Sequence, residues 1–95
     1  MNKKVNSENR LIMLRKKVDK IDKQLIQLLA KRQMLIEKIG IHKRNRNLGI
    51  ISKYREKFIM NKQLHLAKKK NIDLNLIESI YKLIFKNSRK IQRGI

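Results

Sequence analysis

Apolar residues recur at three- and four-residue steps through the first part of the chain: Leu11, Leu14, Val18, Ile21, Leu25 and Leu28, then Leu35 and Ile39. A helix turns about 100° per residue, so this spacing lays them along one stripe and predicts a long amphipathic helix. Its expected span is from about Ser7 or Glu8 to about His42 or Lys43, roughly 35 residues and so about 50 Å. The step after Leu28 lands on Arg32, in the middle of the seam. A guanidinium facing a core costs several kcal/mol unless an anion meets it. Seven acidic residues stand against 26 lysines and arginines, so a bound anion is a good candidate for that partner.

The same reading divides the rest of the chain. Arg44-Asn45-Arg46-Asn47-Leu48-Gly49 is expected as a loop. A second helix begins near Ile51 or Ser52, ends between Lys68 and Asn71, and carries Tyr54, Phe58 and Ile59 inward. Asp73 or Asn75 caps a third helix, with Glu78 three residues after Asn75 as in a capping box. Its stripe is Ile77, Ile80, Ile84, Ser88 and Ile91, where polar Ser88 replaces an apolar residue. Strand-type alternation is absent, there is no proline, and only Gly40, Gly49 and Gly94 are available to interrupt helices. Gly40 falls near the end of the first helix, which tolerates one glycine at about 1 kcal/mol. The fold class is therefore all-α: a three-helix protomer of 95 residues forming one domain, with a core over about 8–93 and residues 1–7 frayed. Two helices of about 30 Å cannot cover one of about 50 Å without leaving apolar seam exposed. A chain this short also has a marginal core, and both arguments predict a homodimer.

The net charge of +19 admits two readings. One is an electrostatic footprint for nucleic acid or an anionic membrane. The other is compositional drift combined with a general attraction of anions. The lysines are scattered, and Tyr54, Phe58, Tyr81 and Phe85 lie near helix seams instead of alternating with them as stacking platforms, which favours the second reading over a nucleic-acid partner. No apolar run approaches the roughly 18–20 residues that span a membrane. The basic start lacks the apolar core and cleavage site of a signal peptide, so a cytoplasmic protein is expected. There is no cysteine, and His42 and His65 have no ligand partners at metal spacing, so no metal site is assigned.

Several polar residues on or beside the seams form a pattern. Lys43 follows Arg32 by eleven positions, which returns it nearly to the same face at about 16 Å. Two long cationic side chains there could converge on a molecule lying between them. Ser88 and Gln92 are neighbours at i and i+4 on the third helix. Glu56, one of the few acids, follows Arg55 on the second. Arg15 lies about 25 Å from Arg32 and about 100° around the helix, so the two cannot grip one small molecule from the same chain. If both serve one site, Arg15 serves the partner's.

From Leu14 through Gln92 the text LRKKVDKIDKQLIQLLAKRQMLIEKIGIHK, then REK around Glu56, then IDLNLIESIYKLIFKNSRKIQ, resembles the all-helical chorismate mutases. The likeness is greatest to the mutase domains that begin bifunctional aromatic-amino-acid enzymes. The L-R-x-x-(I/V)-D-x-(I/L)-D opening and the L-L-A-x-R segment are specific together. The resemblance implies an intertwined homodimer and conversion of chorismate to prephenate in phenylalanine and tyrosine biosynthesis. It further implies that Arg32 binds one substrate carboxylate and that Arg15 reaches across the dimer to the other. Lys43 then lies between a carboxylate and the ether oxygen, and Gln92 is the second donor to that oxygen. Glu56 accepts the ring hydroxyl, and Ser88 is a polar contact near the ring carboxylate. Ser52 stands where related enzymes often have aspartate, Arg55 is supporting, and Ile39, Ile84 and Phe85 form apolar walls. The reaction is an intramolecular [3,3] rearrangement, needing no cofactor, nucleophile or proton shuttle. Three alternatives stay open: an isochorismate-pyruvate lyase on the same fold, a basic helical nucleic-acid-binding module, and a mutase domain that has lost rate.

Overall fold

The computed structural model describes residues 3–94, which form three helices: α1 (Lys3–Asn45), α2 (Lys53–Lys69) and α3 (Leu74–Arg93). No strand occurs among the described residues. α1 starts earlier than the periodicity alone suggests, since residues before Leu11 carry no stripe to mark them. The first two of the seven residues expected to fray lie outside the described residues.

α1 and α2 end where asparagine, not glycine, takes the left-handed conformation. Asn47 has φ 56° and Asn71 has φ 57°. At the end of α1, the Leu48 amide donates to the Lys43 carbonyl at 2.7 Å and the Asn47 amide to that of Arg44 at 3.2 Å. α2 repeats the arrangement, with Ile72 donating to Ala67 at 2.9 Å and Asn71 to Lys68 at 3.3 Å. Both are Schellman motifs, and asparagine is the non-glycine residue that most readily adopts the left-handed position. The expectation that only Gly40, Gly49 and Gly94 could interrupt helices is thus corrected for two of the three: Gly40 is buried inside α1, and Gly49 lies in the connection beyond the turn, whereas Gly94 does cap the end of α3.

The starts are capped by side chains. Ser52, extended at φ −118° and ψ 98°, accepts the Arg55 amide on Oγ at 3.2 Å and opens α2. Such a cap contributes about 1 kcal/mol. Asp73 opens α3 by accepting the Asn75 amide at 2.9 Å. Asn75 is therefore already helical and the expected Asn75–Glu78 box does not form. Glu78 pairs instead with Lys82 one turn on, at 2.9 Å.

The chain divides into two compact units, one ending at Arg32 and one starting at Gln33. The first is helix alone, and its stripe from Leu11 to Leu28 is between 46% and 60% exposed. The second holds the end of α1 together with α2 and α3, which pack on each other. Its core is Ala67 and Phe85, both buried, with the Tyr81 ring tilted against Phe85 at 5.9 Å. The inward face of α2 runs through Glu56, Ile59, Met60, Gln63 and Ala67. Ile59 is inward as expected, but Tyr54 and Phe58 are not. Tyr54 lies about 200° round the helix from Glu56 and is 85% exposed. Phe58 is half exposed, with the Arg55 guanidinium over its ring at 5.5 Å.

Candidate functional site

Lys43 and Gln92 meet in the second unit. The Schellman turn after α1 folds the connection back so that the Ile50 carbonyl faces the last turn of the helix. Lys43 Nζ donates to that carbonyl at 2.9 Å and to Gln92 Oε1, from the last turn of α3, at 3.1 Å. A lysine can only donate, so this bond fixes the amide: the oxygen faces Lys43 and the Gln92 NH2 is turned away, able to donate elsewhere. The ammonium has three N–H donors, and these acceptors take two. Both side chains border a groove of about 390 Å³ that also includes Gly40, Arg44, Asn47, Leu48, Ile50 and Arg93.

Glu56 lies in the first turn of α2, where the helix dipole favours a carboxylate. Arg89 of α3 grips it with a two-pronged fork, Nε donating to Oε2 at 2.9 Å and Nη2 to Oε1. Both side chains are largely covered, at 34% and 21% exposure. The hydrogen bond to Glu56 pushes the Arg89 pKa up; burial opposes this, and the carboxylate charge adds to it. A second groove of about 480 Å³ is lined by Glu56, Lys82, Phe85, Lys86, Arg89 and Arg93. Arg93 borders both grooves.

Ser88 is buried on α3, between Phe85 and Gln92 along one face, and its hydroxyl donates to the Ile84 carbonyl at 2.9 Å. Ser52 is occupied as the α2 cap; serine and aspartate are both favoured there, so serine at this position preserves the helix start. Of the expected apolar walls, Phe85 is buried, Ile84 half-buried and Ile39 45% exposed. Arg15 and Arg32 belong to the first unit, where Arg15 is exposed and Arg32 half-buried.

The structure thus joins Lys43 to Gln92 directly, and sets Glu56 against the helix that carries Ser88 and Gln92. Sequence reasoning missed Arg89 and the Ile50 carbonyl. The composition held a signal for the first: with few acids among many cations, Glu56 was bound to find a basic partner, but only the packing register of α2 on α3 selects Arg89. Among the described residues no three of His, Cys, Asp and Glu gather to hold a metal ion, and no helix is long and apolar enough to cross a membrane.

Comparison with known proteins follows the same residues. The sequence model of the family described as chorismate mutase type II matches residues 14–93. The chain is 37% identical over 89 residues to the bifunctional chorismate mutase/prephenate dehydratase of Buchnera aphidicola subsp. Schizaphis graminum, covering 94% of this chain and 23% of that protein. It is 29% identical over 91 residues to the enzyme of the same name from Escherichia coli K12, covering 96% and 24%. It is also 29% identical over 84 residues to the chorismate mutase of Methanocaldococcus jannaschii, covering 88% and 85%. The chain therefore spans about a quarter of the length of the bifunctional relatives. No solved structure gives a significant match.

Proposed function

The chain belongs to the type II chorismate mutase family, and on that footing we propose that it is an isomerase converting chorismate to prephenate by intramolecular [3,3] rearrangement. The observation that carries the reading is the bond between Lys43 and Gln92. The resemblance assigns both residues to one ether oxygen, and here they approach each other from helices 49 positions apart. No nucleophile, proton shuttle or cofactor is needed. The protein has to hold a flexible dicarboxylate in its reactive conformation and stabilise the negative charge that grows on the ether oxygen.

Each group has a part. Arg32 and Arg15 take the two carboxylates, for which the planar guanidinium provides forked geometry. Lys43 supplies positive charge, and the outward Gln92 NH2 supplies a neutral donor, at the breaking C–O bond. Glu56 accepts the ring hydroxyl. Ser88 is a polar contact near the ring carboxylate, and the Ser52 amide binds a substrate hydroxyl. The exposed stripe from Leu11 to Leu28 supports a homodimer: a second copy covers it, and Arg15 of one protomer then completes the site of the other. The enzyme acts in the cytoplasm, in the synthesis of phenylalanine and tyrosine.

The test is a chorismate assay on the purified chain with the product identified by chromatography, beside Arg32→Ala. Prephenate formation that disappears in the variant is the expected result. Turnover of isochorismate to pyruvate, or no turnover by a folded dimer, overturns the reading.

A further inference from the structure

Arg89 is a cation at the proposed site to which the resemblance gives no role. We propose that it is a positioning residue: its fork fixes the Glu56 carboxylate and offsets its charge, so that Glu56 accepts a hydroxyl from a substrate that is itself a dianion. The inference rests on the chorismate reading above.

Three observations support it. The contact is two-pronged, Nε to Oε2 at 2.9 Å with Nη2 on Oε1, so it sets the plane of the carboxylate as well as its place. It joins α2 to α3, the helix that also presents Ser88 and Gln92, so Glu56 is registered against those residues and not merely against its own helix. Finally, both partners are largely covered and border a groove, where a lone carboxylate would repel an incoming dicarboxylate. A carboxylate has about four lone-pair sites and the fork uses two, so an acceptor site stays open for a hydroxyl. Lysine is no substitute, because a point charge on a flexible stem does not fix the plane.

Wild type, Glu56→Gln, Arg89→Met, Arg89→Lys and the Glu56→Gln/Arg89→Met double variant are compared in chorismate turnover, with circular dichroism and thermal melting as checks of fold. Expected for Arg89→Met is a fall in kcat/KM of about tenfold, the scale of one charge-assisted hydrogen bond, and mostly in KM because the bond to substrate exists before the rearrangement. Arg89→Lys recovers only part. In the Glu56→Gln background Arg89→Met changes kcat/KM by less than about twofold, since a residue acting through another has nothing left to act on.

An undiminished loss in that background means that Arg89 acts independently and overturns the proposal. Full kcat/KM in Arg89→Lys does the same, and remains decisive if Arg89→Met fails to fold. Higher activity without the arginine makes the fork a block on Glu56 and also overturns it. An inactive wild type, or an unimpaired Glu56→Gln, removes the reading beneath the proposal; an impaired Glu56→Gln beside a fully active Arg89→Met removes the arginine's role alone.

Discussion

The helical stretch up to Arg32 and the α2–α3 hairpin are built from similar residues, yet one buries its apolar positions far better than the other. In the hairpin, two helices face each other, Ala67 and Phe85 are buried, and polar side chains pair across the contact. In the first stretch, six stripe residues from Leu11 to Leu28 stay about half exposed. Periodicity alone does not separate the two cases, because a stripe records that a face is meant to be covered and not by what. A single helix in water is marginal, and most helical stability comes from packing the apolar face. The N-terminal stretch therefore depends on a cover, whereas the hairpin buries part of its apolar surface within itself.

The largest effect is expected where that dependence is attacked directly. Ile21→Asp puts a charge on the stripe, and in the proposed dimer burying it against a second copy costs several kcal/mol. Sedimentation should then show monomer and far-UV circular dichroism a loss of helix. Tyr54→Ala, on the outward side of α2, should leave both unchanged. Dissociation by Tyr54→Ala would mean that the cover extends over the hairpin, and a dimeric Ile21→Asp would break the comparison.

Next in size is the proposed chemistry. Gln92→Ala removes one donor and should cost about 10²–10³ in kcat, by analogy with loss of an oxyanion-hole donor. Because an amide donates without protonation, that contribution should persist across neutral pH; a rate requiring acid, with one titration in the carboxylic-acid range, would count against it. Mixing Arg15→Ala with Arg32→Ala chains tests whether the regions of two protomers combine. One site of a mixed dimer then carries both lesions and the other neither, so activity should return to about half per heterodimer. No recovery despite confirmed subunit exchange would place each site within one chain.

Much of the fold and part of the candidate site are legible in the sequence, for reasons that differ by residue. Arg32 and Ser88 stand out because each interrupts an apolar stripe, and Lys43 and Gln92 by their helical spacing from those two, while only the family resemblance gives them roles. Ser52 and Asp73 are residues of the kind that cap helices, and they do. The inward placing of Tyr54 and Phe58 was wrong, since aromatic character says nothing of which face of α2 meets α3. α1 runs to Asn45, two residues past the expected Lys43, while α2 ends at Lys69, within the expected Lys68–Asn71. At both ends asparagine takes the left-handed position that glycine more often fills. Arg89 was out of reach, because a pair 33 positions apart exists only once two helices have found their register.

The smallest effects should come from the two asparagine turns, and they sharpen the comparison within the hairpin unit itself. Asn47 and Asn71 have the same conformation and the same pair of backbone bonds, so alanine at either should lower stability by about 1–2 kcal/mol, read as a fall in thermal midpoint. Glycine should cost nothing at either. Only the first turn, however, aims the Ile50 carbonyl at Lys43. Asn47→Ala should therefore also lower kcat/KM several-fold at temperatures where the variant is fully folded, while Asn71→Ala at equal thermal cost should not. Equal kinetic losses would show that the hairpin transmits strain as one body. No loss from Asn47→Ala would show that Lys43 is held by Gln92 alone, and that the turn serves the helix end and nothing further.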